Sequence, residues 1–174
     1  ATFKACDGMV VEAQNEDLTS WKAVGNLGGH ETDGLASDSG VAGECPNLFP
    51  LAGQEVLIRS TYPISYLIGS FDPNAVKFEV KSGPFVLDYA YGGDERPENH
   101  FRGLYGTSVY TNPDGMTILL GWVSGFKSGR GWKGCMSLPR VLRIENQRLI
   151  QEPLPELTKL RGNHVRLQDK VLKN

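Results

Sequence analysis

This chain of 174 residues has no long apolar run, no cysteine cluster and almost no helical periodicity. The first absence excludes a membrane-spanning helix, which needs about 20 consecutive apolar residues. Cysteine is scarce: Cys6, Cys45 and Cys135 are odd in number and far apart, so a disulfide-stapled scaffold is not expected. No Cys-x-x-Cys pair occurs, and the three histidines lack metal-ligand spacing, so neither metal nor cofactor is expected. An excess of charge of one sign is also missing. Eighteen Lys and Arg against twenty Asp and Glu leave a formal charge of −2, which provides no electrostatic footprint for nucleic acid. Neither nucleic acid nor a membrane is therefore an expected partner.

What the chain does have is turns. Twenty-one Gly and ten Pro punctuate short segments of strand character. Glu55–Arg59 reads as a strand after an Ala52-Gly53-Gln54 turn, Tyr66–Ser70 as the next, and Val76–Val80 alternates apolar and charged residues. Thr107–Tyr110 and Met116–Leu120 flank Asn112-Pro113-Asp114-Gly115 as a hairpin, and Val141–Ile144 with Arg148–Ile150 flank Glu145-Asn146-Gln147 as another. Two Gly- and charge-rich loops break this rhythm, Gly25 to Gly43 and Tyr91 to Gly103. Either can be a solvated linker or a wall of a substrate pocket.

The stretch richest in chemistry is Gly43-Glu44-Cys45-Pro46-Asn47-Leu48-Phe49-Pro50-Leu51. One carboxylate stands between a glycine and a Cys-Pro pair, ahead of an apolar run. In such company Glu44 is expected to be poorly solvated and conformationally held. Burial disfavours the charged form of a carboxyl, which suits a general acid that must keep its proton until a leaving group needs it. On spacing alone, a strand with one solvated glutamate is the favoured reading. Cys45 reads as a small, weakly polar neighbour of that acid.

Gly-Glu-Cys-Pro-Asn-Leu-Phe resembles the Glu-Cys-Pro motif of glycoside hydrolase family 32, the invertases, levanases, inulinases and other β-fructosidases. Other segments agree in order. Asp17-Leu18-Thr19-Ser20-Trp21 resembles the family's Asp-Leu-x-x-Trp blade ending. Ile118-Leu119-Leu120-Gly121-Trp122 resembles its Gly-Trp strand, and Gly131–Arg140 its Ser-Leu-Pro-Arg segment. Gln151-Glu152-Pro153 and Glu156-Leu157 look like the run that leaves the catalytic domain. Phe85–Tyr89 is similar to the family's Leu-Asp-x-Gly stretch, with Ala90 in place of the glycine, and Leu104-Tyr105-Gly106 stands where the family has an aromatic-Tyr-Ala step.

The resemblance implies an all-β chain, the later part of a five-bladed β-propeller (roughly blades three to five) built of antiparallel four-stranded blades. It places the propeller portion in residues 1–162 and the start of a linker toward a C-terminal β-sandwich in residues 163–174. The implied activity is retaining hydrolysis of β-fructosides of the sucrose, levan or inulin type, with Glu44 as general acid and then base. Cys45, Tyr105 and Trp122 would line the fructose-containing substrate's site, Tyr105 bonding near the carboxylates and Trp122 stacking on a sugar face. Trp21 and Trp132 are read as packing residues, and Arg130, Lys133 and Arg140 as surface or blade-closure charges.

The family's nucleophile motif, Asn-Asp-Pro-Asn, and its Arg-Asp-Pro motif do not occur here. Asn112-Pro113-Asp114-Gly115 reads as a turn, and Phe71-Asp72-Pro73 lacks the arginine and comes too late in the order. The expected partner is therefore the earlier propeller blades, in the same parent protein or a companion chain, and this segment alone is expected to be inactive. A non-catalytic carbohydrate-binding propeller piece is the alternative. The family is compatible with a secreted or periplasmic location, and the sequence leaves the compartment open.

Overall fold

The computed structural model describes residues 8–27, 44–61, 63–89, 103–126, 129 and 131–164. Eleven strands are present among them: β1 Met9–Ala13, β2 Trp21–Asn26, β3 Glu44–Leu51, β4 Gln54–Ser60, β5 Ser65–Asp72, β6 Lys77–Val86, β7 Gly103–Thr111, β8 Thr117–Ser124, β9 Cys135–Met136, β10 Arg140–Glu145 and β11 Arg148–Pro153. A 3-10 helix, Pro155–Leu160, follows. The all-β expectation holds. The expected 162/163 boundary falls just after that helix, and residues 165–174 lie outside the described residues.

All strand pairs are antiparallel. Strands β1 and β2 form a hairpin, β3-β4-β5-β6 a four-stranded sheet, and β11-β10-β8-β7 a second sheet in which β9 also pairs with β8. Strands β9 and β10 lie along the same edge of β8, Met136 opposite Trp122 and Arg140 opposite Leu119. They are one strand interrupted at Ser137–Pro139. Pro139 has no N–H to donate to a ladder. Ser137 bridges the gap by donating its N–H to the Gly121 carbonyl at 2.8 Å and accepting the Gly121 N–H on Oγ at 3.1 Å.

Turn chemistry explains the connections. Asn112 to Gly115 closes the β7–β8 hairpin as expected: the Gly115 N–H reaches the Asn112 carbonyl at 2.9 Å, with Gly115 at φ 82°. Asn146 and Gln147 both take positive φ, which suits a tight hairpin between β10 and β11. Asp72 is a turn residue, its Oδ1 accepting the N–H groups of Asn74 and Ala75. The Asp17–Trp21 motif closes the β1–β2 hairpin. Asn15 Oδ1 accepts the Thr19 and Ser20 N–H groups, and the Trp21 indole donates to the Leu18 carbonyl at 2.7 Å.

The third predicted strand needs correcting at its start. Val76 sits in the turn at φ 50°, and β6 runs from Lys77 to Val86, twice the length its alternation suggested. A β-branched residue in the left-handed region runs against local preference, so no sequence pattern marks it.

The middle sheet is buried on both faces. Val56, Ile58, Tyr66 and Ile68 pack with Leu104, Leu119, Leu142 and Leu149 of the next sheet. Leu57, Leu67 and Phe78 face the other way, with Leu27 and the partly buried Val10 of the first hairpin. That arrangement explains why β4 is buried along Val56–Ser60 instead of alternating.

Polar contacts join the two four-stranded sheets as well. The Leu149 N–H donates to the Tyr66 hydroxyl at 3.1 Å, and the Arg148 guanidinium stacks over Phe85 at 3.5 Å. Arg140 donates to Asp88 Oδ2 at 2.7 Å and to Gln151 Oε1 at 2.8 Å, while Gln151 Nε2 donates to the Leu87 carbonyl at 2.7 Å. Arg140 is therefore more than a surface charge: its side chain and that of Asp88 are only about a quarter exposed. Arg140→Ala is expected to cost about 2 kcal/mol, because Asp88 and Gln151 both lose a charge-assisted partner. Asp88→Asn, which keeps an acceptor for Arg140, is expected to cost less than half as much. Urea denaturation of both variants checks this ordering.

On the outer strands, Arg143 hydrogen-bonds Glu152 at 3.1 Å and holds that carboxyl below its usual range, while Glu152 raises the guanidinium. The pair stabilises at neutral pH and loses that share as acid protonates Glu152. Because both side chains meet solvent, the contribution is small.

Candidate active site

Glu44 is the first residue of β3, an edge strand, and it faces Ser60 across the ladder. The register then slips, so that Cys45 and Pro46 together stand opposite Arg59, and pairing resumes at Asn47 with Ile58. This is a β-bulge, and its turning residue is Cys45 at φ 47°. A second bulge faces it on β7. Tyr105 pairs with Trp122, Ser108 with Leu120, and Gly106 and Thr107 share the space between, Gly106 at φ 53°. Bulges bend a strand and re-aim the side chains beside them. Here each immediately follows a residue singled out from the sequence.

The outcome is a direct contact between sheets. The Tyr105 hydroxyl donates to Glu44 Oε2 at 2.8 Å, across 61 residues of chain. Trp122 lies beside Tyr105 on the neighbouring strand, and directly opposed residues share a face. The indole is 42% exposed, and its Nε1 comes so close to Gly134 that a methyl group there would overlap it. Glycine is thus the residue that leaves room for the ring. Met136, paired with Trp122, extends the same ridge at 65% exposure. Glu44, Tyr105 and Trp122 are consequently neighbours.

Other expectations need correction. Glu44 is exposed, not poorly solvated, because it stands at the open end of an edge strand with its carboxyl held by a phenol rather than enclosed by apolar walls. Cys45 is an exposed free thiol, not a packing residue, and it contributes to the local geometry through its backbone. Trp21 and Trp132 are about half exposed. Trp132 packs edge-on against Phe126 in the segment before β9, not in a core. Lys133 is exposed, and Arg130 lies outside the described residues, as do most of the two long loops, 28–43 and 90–102. Among the described residues no three His, Cys, Asp or Glu side chains group as metal ligands.

Four residues of this region were not singled out from sequence: Asn47, Ser60, Gly106 and Gly134. Asn47 carried a usable signal. Asparagine is disfavoured within strands, so one in the middle of a motif that reads as strand marks a side chain with a task.

The class follows from the architecture: an all-β chain of four-stranded antiparallel sheets packed face to face, with a carboxyl and aromatic ridge where two sheets meet. A family model described as the glycosyl hydrolases family 32 N-terminal domain matches residues 4–153. The chain belongs to glycosyl hydrolase family 32. It is 31% identical to the sucrose-6-phosphate hydrolase of Bacillus subtilis (strain 168), a match covering 92% of this chain and 35% of that protein. The sucrose-6-phosphate hydrolase of Klebsiella pneumoniae is 32% identical, over 89% of this chain and 35% of that protein. Among solved structures, the GH32 beta-fructofuranosidase of Bombyx mori superposes with a TM-score of 0.70 at 26% identity, over 91% of this chain and 34% of that one. The sucrose-6-phosphate hydrolase of Lactobacillus gasseri gives 0.61 at 26% identity, over 90% of this chain and 33% of that one. This chain spans about a third of the length of the curated relatives it matches. Its two four-stranded sheets are blades of the β-propeller seen in these structural relatives, and the described residues do not close the ring.

Proposed function

We propose that this chain carries the acid/base side of a retaining β-fructosidase. The observation that supports the reading best is the 2.8 Å bond from the Tyr105 hydroxyl to Glu44 Oε2, beside the exposed Trp122. With Oε2 occupied by the phenol, Oε1 is left to carry the transferring proton. That proton passes to the departing glycosidic oxygen as a second carboxylate, about 5–5.5 Å away, attacks the anomeric carbon. Glu44, now ionised, takes a proton from water, which displaces the enzyme carboxylate and releases fructose. Trp122 offers a flat apolar face to the C–H groups of the sugar, and Cys45 shapes the pocket edge through its backbone.

The nucleophile comes from polypeptide outside these 174 residues, in the same molecule or a companion chain. The substrate class is fructosides of the sucrose type. Sucrose and its 6-phosphate come first, because the latter stands in the names of the bacterial relatives. The test is turnover: the chain joined to its nucleophile-bearing blades is offered sucrose, sucrose 6-phosphate, inulin and levan, and fructose release is followed. At least one of them is expected to be cleaved. Saturable binding with no release from any of the four would favour a carbohydrate-binding protein instead.

A further inference from the structure

Two bulges face each other at this site, and a bulge leaves backbone groups without ladder partners, which must be satisfied elsewhere. Asn47 fills that role for both. Its Nδ2 donates to the Cys45 carbonyl at 2.9 Å, within its own strand, and to the Thr107 carbonyl at 2.8 Å, in the adjoining sheet. The Thr107 hydroxyl lies 3.3 Å from the same nitrogen. Asn47 Oδ1 accepts the Val109 N–H at 3.1 Å. A primary amide has two N–H donors and one carbonyl acceptor, so its capacity matches this set of partners. Serine, aspartate and leucine all lack one of those elements.

A second stitch lies alongside. Ser60, buried and directly opposite Glu44, accepts the Gly106 N–H on its Oγ at 3.0 Å. Gly106 follows Tyr105. Each bulge is thus tied to the other at the residues adjoining Glu44 and Tyr105. The left-handed backbone at Cys45, costing about 1–2 kcal/mol for a residue with a Cβ, persists only where its surroundings over-determine it.

We infer that Asn47 is a positioning residue, holding the bulges of β3 and β7 in register so that the Tyr105 hydroxyl meets the Glu44 carboxyl. It does not touch the reacting atoms. The inference rests on Glu44 being the acid, and the test separates the two. In the enzyme complete with its nucleophile, kcat/KM, which reports formation of the fructosyl-enzyme, is measured on sucrose, whose glucose is a poor leaving group, and on an activated aryl fructoside, whose phenol departs without protonation. Asn47→Ala is expected to lower kcat/KM on sucrose about 30-fold, as a displaced catalytic group does, with KM changed less than about 3-fold. Loss of kcat/KM on the aryl fructoside should stay under about 3-fold. Ser60→Ala is expected to show the same split, at about 5- to 10-fold on sucrose.

Glu44→Gln is run alongside. If it depresses kcat/KM on both substrates equally, the acid assignment fails and takes this inference with it. If Glu44→Gln is selective while Asn47→Ala depresses both equally, or neither, the positioning role is wrong and the acid assignment stands. Should Asn47→Ala not fold, Ser60→Ala decides: an unchanged ratio between the two substrates overturns the inference.

Discussion

Glu44→Gln, in the enzyme complete with its nucleophile, is expected to cut turnover of sucrose by about 10²- to 10⁴-fold, the span that a positioned general acid contributes. Glutamine preserves the size of the side chain and keeps an oxygen able to accept the Tyr105 hydroxyl, so the ridge should remain assembled. What it lacks is a proton to give. A sugar leaving as an alkoxide needs that proton, whereas an activated phenol does not. On an aryl fructoside the first-step burst should therefore survive nearly intact, and the second step should slow, because water then lacks its base. A burst followed by a weak steady state would separate the two roles of one carboxyl. Equal loss on both substrates in the first step would remove Glu44 from the chemistry.

The largest expected effect on stability lies elsewhere, at Gly69. This residue sits in β5, a central strand, paired with Glu55 on one side and Val80 on the other. The β5–β6 register slips between Ile68 and Gly69, which brings the backbone of Glu79 against its Cα. A Cβ here would overlap the Glu79 carbonyl oxygen and approach the Glu79 carbonyl carbon and Phe78 Cζ, both at 3.0 Å. The overlap is with backbone, not with the tip of a movable side chain, so the strands themselves must part. Gly69→Ala is expected to cost about 3 kcal/mol or more. For a chain of this size that lowers Tm by roughly 6–12 °C. Gly53→Ala is the control: it lies in a turn at φ 73° with open space around it, so only backbone strain of about 1 kcal/mol applies. Thermal unfolding followed by circular dichroism ranks the two, and a Gly69→Ala variant as stable as Gly53→Ala would refute the packing argument.

Hairpins were the most legible part of the fold. Asn112-Pro113-Asp114-Gly115 announced a turn, and the strands on either side came out in the expected places. The long span of β6 was not legible, because its start follows a valine in a backbone region that valine avoids. Nor was the all-round burial of β4 along Val56–Ser60, since alternation reports one solvated face and this strand has none. The order of motifs identified the family, and it singled out Glu44, Tyr105 and Trp122, which the fold brings side by side. Exposure was misjudged at Glu44, Cys45, Trp21 and Trp132 alike. Residue type sets a preference for burial, but the position of a strand end or a loop within the assembled sheets decides it.

Strand, turn and motif are written within a few neighbouring residues, through side-chain alternation and the backbone limits of Gly, Pro and Asn, and the sequence alone determined them. Which carboxyl oxygen meets which phenol, and which amide holds two bulges together, depends on residues about 60 positions apart. Their meeting is set by how one twisted sheet seats on the next. Packing of that kind leaves no local pattern, so only the tertiary structure decided it.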